Sequence, residues 1–301
     1  MLWLALASGT AFCEALKDAT GKQALKSLDE YSVLLGFTST GALLMAILML
    51  ATEGLPTLGP DFGRALLVGG GLNILAFTLY TRAIKIADLS LTVPLVTLTP
   101  LFLLVTSPII VDEWPTSLDA LGVLFLIVGS YMLNLKPSEG FTLAPLQALM
   151  LNPGSRMMLG VAFIWSITSN FDKVGTLNSS SLFWGMSLFG TIAIGMVPFV
   201  IQRAWQRGSG SVISGLQAAR SAPARSQAPF VVLAGIFNAL GVSLQFVALT
   251  MAPVAQVIAV KRMSALISVL FGYLLFGETG LRERFLGAAI MVSGVAIMAM
   301  D

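Results

Sequence analysis

The stretch Pro253-Val-Ala-Gln-Val-Ile-Ala-Val-Lys261-Arg262-Met-Ser-Ala-Leu-Ile-Ser-Val-Leu-Phe-Gly-Tyr-Leu-Leu-Phe276 decides how this chain is read. It is apolar and long enough to cross a membrane, yet Lys261 and Arg262 stand side by side in its middle. A Lys or Arg at the centre of a membrane helix costs about 2.5 to 3.5 kcal/mol on insertion scales. The surrounding Val, Ile, Leu and Phe residues each return only about 0.3 to 0.6 kcal/mol, so the two sums nearly cancel. A helix this close to the insertion threshold needs protein or a water-filled cavity beside its charges, and such a cavity in a membrane protein usually holds the ligand.

The rest of the chain agrees with a membrane setting. Of its 301 residues 56% are hydrophobic and 11% charged, with a mean hydropathy of +0.88, where a soluble globular protein carries about 25% charged residues. Apolar stretches recur about every 30 residues, each near the ~20 needed to span a bilayer. They predict an all-α integral membrane protein of about ten helices, over residues 2–20, 32–51, 65–86, 89–111, 117–135, 157–176, 182–202, 229–250, 254–276 and 283–300. The apolar start from Leu2 to Phe12 lacks the basic lead and small-residue cleavage site of a signal peptide, and reads as a retained first helix.

With no His and the single Cys13, zinc, thiol-relay and Ser-His-Asp chemistry have no residues to use. No cofactor or metal is expected, and no phosphate-binding glycine loop is present. The net charge of +2 is too small to argue for nucleic acid as a partner. Membrane lipids and a small-molecule substrate are the expected partners, with the chain acting as a monomer or homodimer.

The sequence also repeats itself. A shift of 165 positions lays Gly70 on Gly235, Asn73 on Asn238, Leu79 on Leu244, Glu113 on Glu278, Gly122 on Gly287 and Gly129 on Gly294, without gaps. A shift of 151 lays Gly9, Ala11, Phe12 and Lys22 on Gly160, Ala162, Phe163 and Lys173. The 14-residue difference falls in the Gly/Ser/Ala/Arg-rich segment Gly208 to Gln227, an insertion in the second half. The division is therefore a first repeat over 1–136, a connecting loop over 137–156 and a second repeat over 157–301, each with five helices. An odd number of spans puts the second copy into the membrane upside down, and inverted repeats of this kind build alternating-access transporters with a midplane site.

Equivalent loops of inverted repeats lie on opposite sides and differ in Lys and Arg. The connection between spans seven and eight carries Arg203, Arg207, Arg220 and Arg225, whereas its counterpart between spans two and three carries only Arg64. Lys22, Lys26, Lys85, Lys136, Arg156, Arg282 and Arg284 fall on the Arg-rich side, which the positive-inside rule makes cytoplasmic, with both termini outside.

The segment from Val260 through Phe276-Gly-Glu278, followed by Leu286-Gly-Ala-Ala-Ile-Met-Val-Ser-Gly294, resembles the end of the drug/metabolite transporter superfamily, specifically its EamA-type members. Asn170-Phe-Asp-Lys173 resembles the close of a repeat's first helix, and the resemblance runs over nearly the whole chain. It implies a bacterial inner-membrane location and termini in the cytoplasm, opposite to the charge count. Lys261-Arg262 resembles the pair with which the triose-phosphate translocator branch grips phosphate.

Arg offers a planar fork of donors to phosphate or carboxylate, and Lys a mobile point charge. Lys261 and Arg262 are accordingly the candidate anion contacts, although neighbours on a helix project about 100 degrees apart. Glu14, Lys17 and Asp18 share one face of the first span and form a second polar cluster, either a substrate contact or an internal salt bridge that reaches toward the headgroups. Asn73, Tyr80, Asn238 and Gln245 in spans three and eight either bond substrate hydroxyls or tie helices together. Pro94, Pro100 and Pro108 are expected to kink the fourth span. Asp172 and Lys173 read as an interfacial pair, and Glu113 and Glu278 as structural acids that bind backbone donors of the following helix.

These residues point to a secondary transporter, not an enzyme, that exchanges a small organic anion, phosphorylated compounds included, by alternating access. Two rivals stand beside it: a proton-coupled exporter of metabolites or cationic drugs using Glu14, and a membrane-embedded enzyme acting on lipid-linked phosphates. The second lacks a nucleophile or a cluster of carboxylates.

Overall fold

The computed structural model describes residues 2–87, 93–133, 152–206, 222–277 and 281–298. Within them every regular element is helical. The first half holds α1 (Leu2–Leu25), α2 (Glu30–Thr52), α3 (Phe62–Ile86), a 3-10 segment Val93–Leu98 running into α4 (Thr99–Val111), and α5 (Ser117–Leu133). The second half holds α6 (Pro153–Leu177), α7 (Ser181–Gln206), α8 (Ala222–Leu249), a ninth span split into α9 (Val254–Lys261) and α10 (Ser264–Phe276), and α11 (Leu281–Met298). Most of the 137–156 connection and of the Gly208–Gln227 insertion, and all of Glu278, lie outside the described residues.

Five segments are long and apolar enough to cross a membrane: Glu30–Thr52, Phe62–Ile86, Ser181–Arg203, Gln227–Leu249 and Val254–Phe276. Leu95–Val111, Ser117–Gly129 and Phe285–Met298 are shorter apolar helices. Outward-facing Leu43, Ile47, Leu67, Ile109 and Ile194 are each more than half exposed, as lipid contact requires of residues that water would penalise. The full-length α1 and α6 stand apart because their inner faces carry Glu14, Lys17 and Asp18, and Asn170 and Asp172, all buried. These two are repeat-equivalent, so the polar interior is contributed by the same element of each half.

Three differences from the sequence boundaries have local causes. Helix α1 continues past Thr20 to Leu25, and α2 starts at Glu30 because the Asp29 side chain accepts from the Ser32 backbone N–H and caps the helix. The fourth span opens as a 3-10 turn around Pro94, which lacks an N–H to donate. The ninth span, expected to be continuous, tightens at Arg262 and Met263: Met263 N bonds to Val260 O, Ala265 N to Arg262 O and Leu266 N to Met263 O, all at three-residue spacing. Under the 165-residue shift this break falls on Thr97 and Leu98, at the end of the 3-10 segment, so both halves interrupt the same span at the same place. Their ends match too. Gly277 closes α10 with φ +66°, and its counterpart Asp112 closes α4 with φ 56°.

Packing shows the inversion directly. Helices α5 and α11 are equivalent, and they meet through equivalent glycines. A methyl group on Gly122 would lie 2.5 Å from Gly294 O, and one on Gly129 2.6 Å from Gly287 O. As the number rises on one helix it falls on the other, so equivalent helices run in opposite directions about a pseudo-twofold axis. Small residues are what allow backbones this close in a membrane. The same axis relates α1 on α8 to α3 on α6: Gly9 meets Leu244, and Gly160 meets its counterpart Leu79. On the axis, α2 crosses α7 antiparallel, with Tyr31 stacked on Phe199 at 5.5 Å and Gly185 against Met45.

Replacing Gly129 by Ala forces a methyl group into the Gly287 backbone, and overpacking of this kind costs about 1 to 3 kcal/mol. Thermal unfolding of the purified protein in detergent should show that loss for Gly129→Ala and none for Gly71→Ala, whose added methyl meets nothing within 4 Å. Equal midpoints for both variants would refute the glycine crossing.

Candidate functional site

Spans one, three, six, seven, eight and nine enclose a cavity on the pseudo-axis. Its walls are contributed in equivalent pairs: Glu14 and Trp165, Lys17 and Thr168, Asn73 and Asn238, Phe77 and Val242. Lys261 and Arg262 enter at the break between α9 and α10, which is why a helix carrying two adjacent charges can direct both heads inward. Interrupted spans in corresponding positions of two inverted halves mark the substrate site of many transporters. The space is about 40 Å³, room for a few waters and too small for a metabolite.

Charge is distributed asymmetrically over this symmetric frame. Glu14, 6% exposed, spans two ammonium groups: Lys17 Nζ donates to Oε1 at 2.5 Å, and Lys261 Nζ lies 3.4 Å from Oε2. Lys261 also donates to Gln245 Oε1 at 2.8 Å. Lys17 lies 3.3 Å from Asp18 Oδ1 and 4.9 Å from the centre of the Tyr80 ring. Tyr80 donates its hydroxyl to that same Asp18 oxygen at 2.5 Å. These contacts connect α1, α3, α8 and α9 through buried charges, and such a group is tolerated only when paired.

Arg262 differs from the two lysines. It is 4% exposed, yet among the described residues no carboxylate lies within ion-pair distance of it. Its Nη2 donates to Thr99 Oγ1 at 3.0 Å, and its guanidinium sits 5.2 Å from the Trp165 ring centre. A desolvated cation over an indole face gains about 2 kcal/mol. Its Nε donor has no acceptor, and neither does the Asn238 amide, which faces the same cavity. Two residues lining one cavity therefore carry unspent donors.

Of the residues singled out in the sequence, Glu14, Lys17, Asn73, Asn238, Gln245, Lys261 and Arg262 line this cavity. Asp18 and Tyr80 line a smaller one of about 20 Å³ next to it, with Lys17 forming part of both walls. Asn73 spends an amide N–H on Gly69 O of its own helix. Asp172 corrects the sequence reading. It is 7% exposed, lines the cavity, and accepts from Trp184 Nε1 at 3.1 Å, so it forms no interfacial pair with Lys173. Lys173 instead reaches Glu113 at 2.5 Å and Ala252 O at 3.1 Å. Glu113 does bind a backbone donor, but that of Val254 at the start of α9, not one in the helix that follows it. Trp165 and Thr99 escaped the sequence reading because an aromatic or a Thr in an apolar span carries no charge to mark it.

Truncating the bridging carboxylate leaves Lys261 buried without an anion, and breaking such a pair costs about 3 to 5 kcal/mol. Thermal unfolding should place Glu14→Gln well below the wild type, and Glu14→Asp between them. An unchanged midpoint for Glu14→Gln would show that the bridge carries no stability.

A family model described as EamA-like transporter family matches residues 1–135 and 152–300. A solved structure, titled only as the crystal structure of a protein, covers 98% of this chain and 96% of its own, at 16% identity and a TM-score of 0.66. That likeness concerns the fold. No curated protein matches the chain. The inverted pair of five-span repeats and the interrupted spans around a buried polar cavity agree with the family match, whose two segments together show that this chain belongs to the EamA-like transporter family, integral membrane proteins that move small molecules.

Proposed function

We propose that the chain moves a small organic anion, phosphorylated metabolites among them, by alternating access between its two halves. The observation that supports this most is the buried guanidinium of Arg262, which faces the cavity with an unspent Nε donor and no carboxylate within ion-pair distance among the described residues. A carboxylate or phosphate oxygen arriving there supplies the missing anion, and Arg–anion pairs are among the stronger hydrogen bonds. Lys261 adjoins it and is held meanwhile by Glu14, which acts as a stand-in anion inside the protein. Asn238 and Gln245 offer polar contacts to the remainder of such a substrate. The positive end has no symmetry mate, since Val96 and Thr97 occupy the equivalent positions, so the site suits a substrate with an anionic group at one end only.

The fold supports the alternating-access part of this reading. A cavity of about 40 Å³ on the pseudo-axis is closed to metabolites, and rocking one half against the other opens it to either side in turn. The reading of Glu14 as a proton carrier for cation export has less support, because both of its oxygens already face ammonium groups. We place the protein in a bacterial inner membrane.

Thermal shift of the purified protein separates these readings. Sugar phosphates should stabilise it and lipophilic cations should not. Arg262→Gln should weaken sugar-phosphate binding about 10- to 100-fold, the loss of a charged hydrogen bond worth about 1.5 to 3 kcal/mol. Arg262→Lys should fall between, keeping the charge and losing the fork. Stabilisation by lipophilic cations alone, or unchanged affinity in Arg262→Gln, would overturn the anion assignment.

A further inference from the structure

The buried charges around the cavity balance. Lys17, Lys261 and Arg262 are opposed by Glu14, Asp18 and Asp172, all six no more than 9% exposed. An anion entering this balanced interior leaves one negative charge uncompensated, and an unpaired buried charge is strongly disfavoured. Something must enter with it.

The three carboxylates are not equally able to accept a proton. Glu14 faces Lys17 and Lys261, and Asp18 faces Lys17 and accepts from Tyr80. Asp172 has no Lys or Arg within ion-pair distance among the described residues, and its sequence neighbour Lys173 is turned away to Glu113. Among the described residues its side chain accepts one hydrogen bond, from the neutral Trp184 N–H to Oδ1. Trp184 is fully buried and packed against Gly175 one turn further along α6, where any larger residue would displace it. The donor is therefore held in place, and Oδ2 is left to carry a hydrogen.

The charged groups sharing the cavity with Asp172 are Glu14 and Lys17 from α1 and Lys261 and Arg262 from α9, with no Lys or Arg within ion-pair distance of it among the described residues; α3 and α8 present the neutral amides of Asn73 and Asn238, and α7 presents Trp184. Asp172 lies one turn beyond Thr168, at the end of the cavity nearest the α6–α7 connection. Its counterpart in the first half is Gly21, so the acid exists once.

We propose that Asp172 is the proton-binding site of this transporter, loaded together with the anion. The carboxylate takes one proton and becomes the neutral acid; a monoanion binds at Arg262 and Lys261; the interior keeps the formal charge it had when empty. The inference rests on the anion reading above for its cargo, and on Asp172 alone for the proton.

Two measurements test them separately. Infrared difference spectra of the protein in lipid, between alkaline and acid pH, should show a buried carboxylic-acid C=O band that is absent in Asp172→Asn and shifted in Asp172→Glu. Calorimetric titration with inorganic phosphate, in buffers of different ionisation enthalpy, should show the wild type taking up about one proton more than Asp172→Asn. A band that persists in Asp172→Asn, or disappears in Asp18→Asn instead, overturns the proton site even if phosphate binds. Equal proton uptake in wild type and variant overturns the coupling. No phosphate binding combined with an intact Asp172 band overturns the anion reading and leaves the proton site standing.

Discussion

The carboxylate of Glu14, shared by Lys17 and Lys261, is the interaction on which the rest of the interior depends. Three cations sit inside a bundle whose outer surface is Leu, Ile and Val, where an unpaired charge would be costly. Glu14 neutralises two of them at once and ties the first span to the ninth. Asp18, itself held by Tyr80 from α3, brings a third element into the same network. The remaining cation, Arg262, receives a hydroxyl and an indole face in place of a carboxylate. In the proposed reading stability and function divide at that point: the paired lysines hold the helices, and the partly satisfied guanidinium is the ligand contact.

The fold delivers this arrangement by duplicating everything except the charges. Equivalent glycines let α5 and α11 cross closely, and equivalent breaks open spans four and nine at the level of the cavity. On that frame Glu14 and its counterpart Trp165 both meet Lys261, one by charge and the other through its π face, and Trp165 also carries Arg262. A twofold scaffold has two equivalent ways to rock, whereas an asymmetric cavity lining gives the substrate a single orientation. In the proposed mechanism the first property serves alternation between the two sides, the second recognition.

Much of this was legible in the residues. The repeats were visible because close helix crossings demand Gly at fixed spacing, and a shift of 165 aligns Gly122 and Gly129 with the residues they turn out to mirror. Lys261 and Arg262 stood out because charge inside an apolar span has few structural explanations. The break in the ninth span was not legible: no Pro or Gly announces it, and only its counterpart in the Pro-rich fourth span hints at it. Asp172 was misread for a related reason. Adjacent acidic and basic residues near a helix end look like a surface pair, and nothing local says that one side chain turns inward to Trp184 while the other turns to Glu113.

The most direct test of the central claim is an experimental map of the protein with a sugar phosphate bound. The account predicts the phosphate between the two halves, within hydrogen-bond distance of Arg262 and Lys261, with Glu14 displaced from Lys261 and still on Lys17. Ligand density away from Arg262, or a carboxylate of the protein closing on its guanidinium while the ligand binds elsewhere, would contradict it.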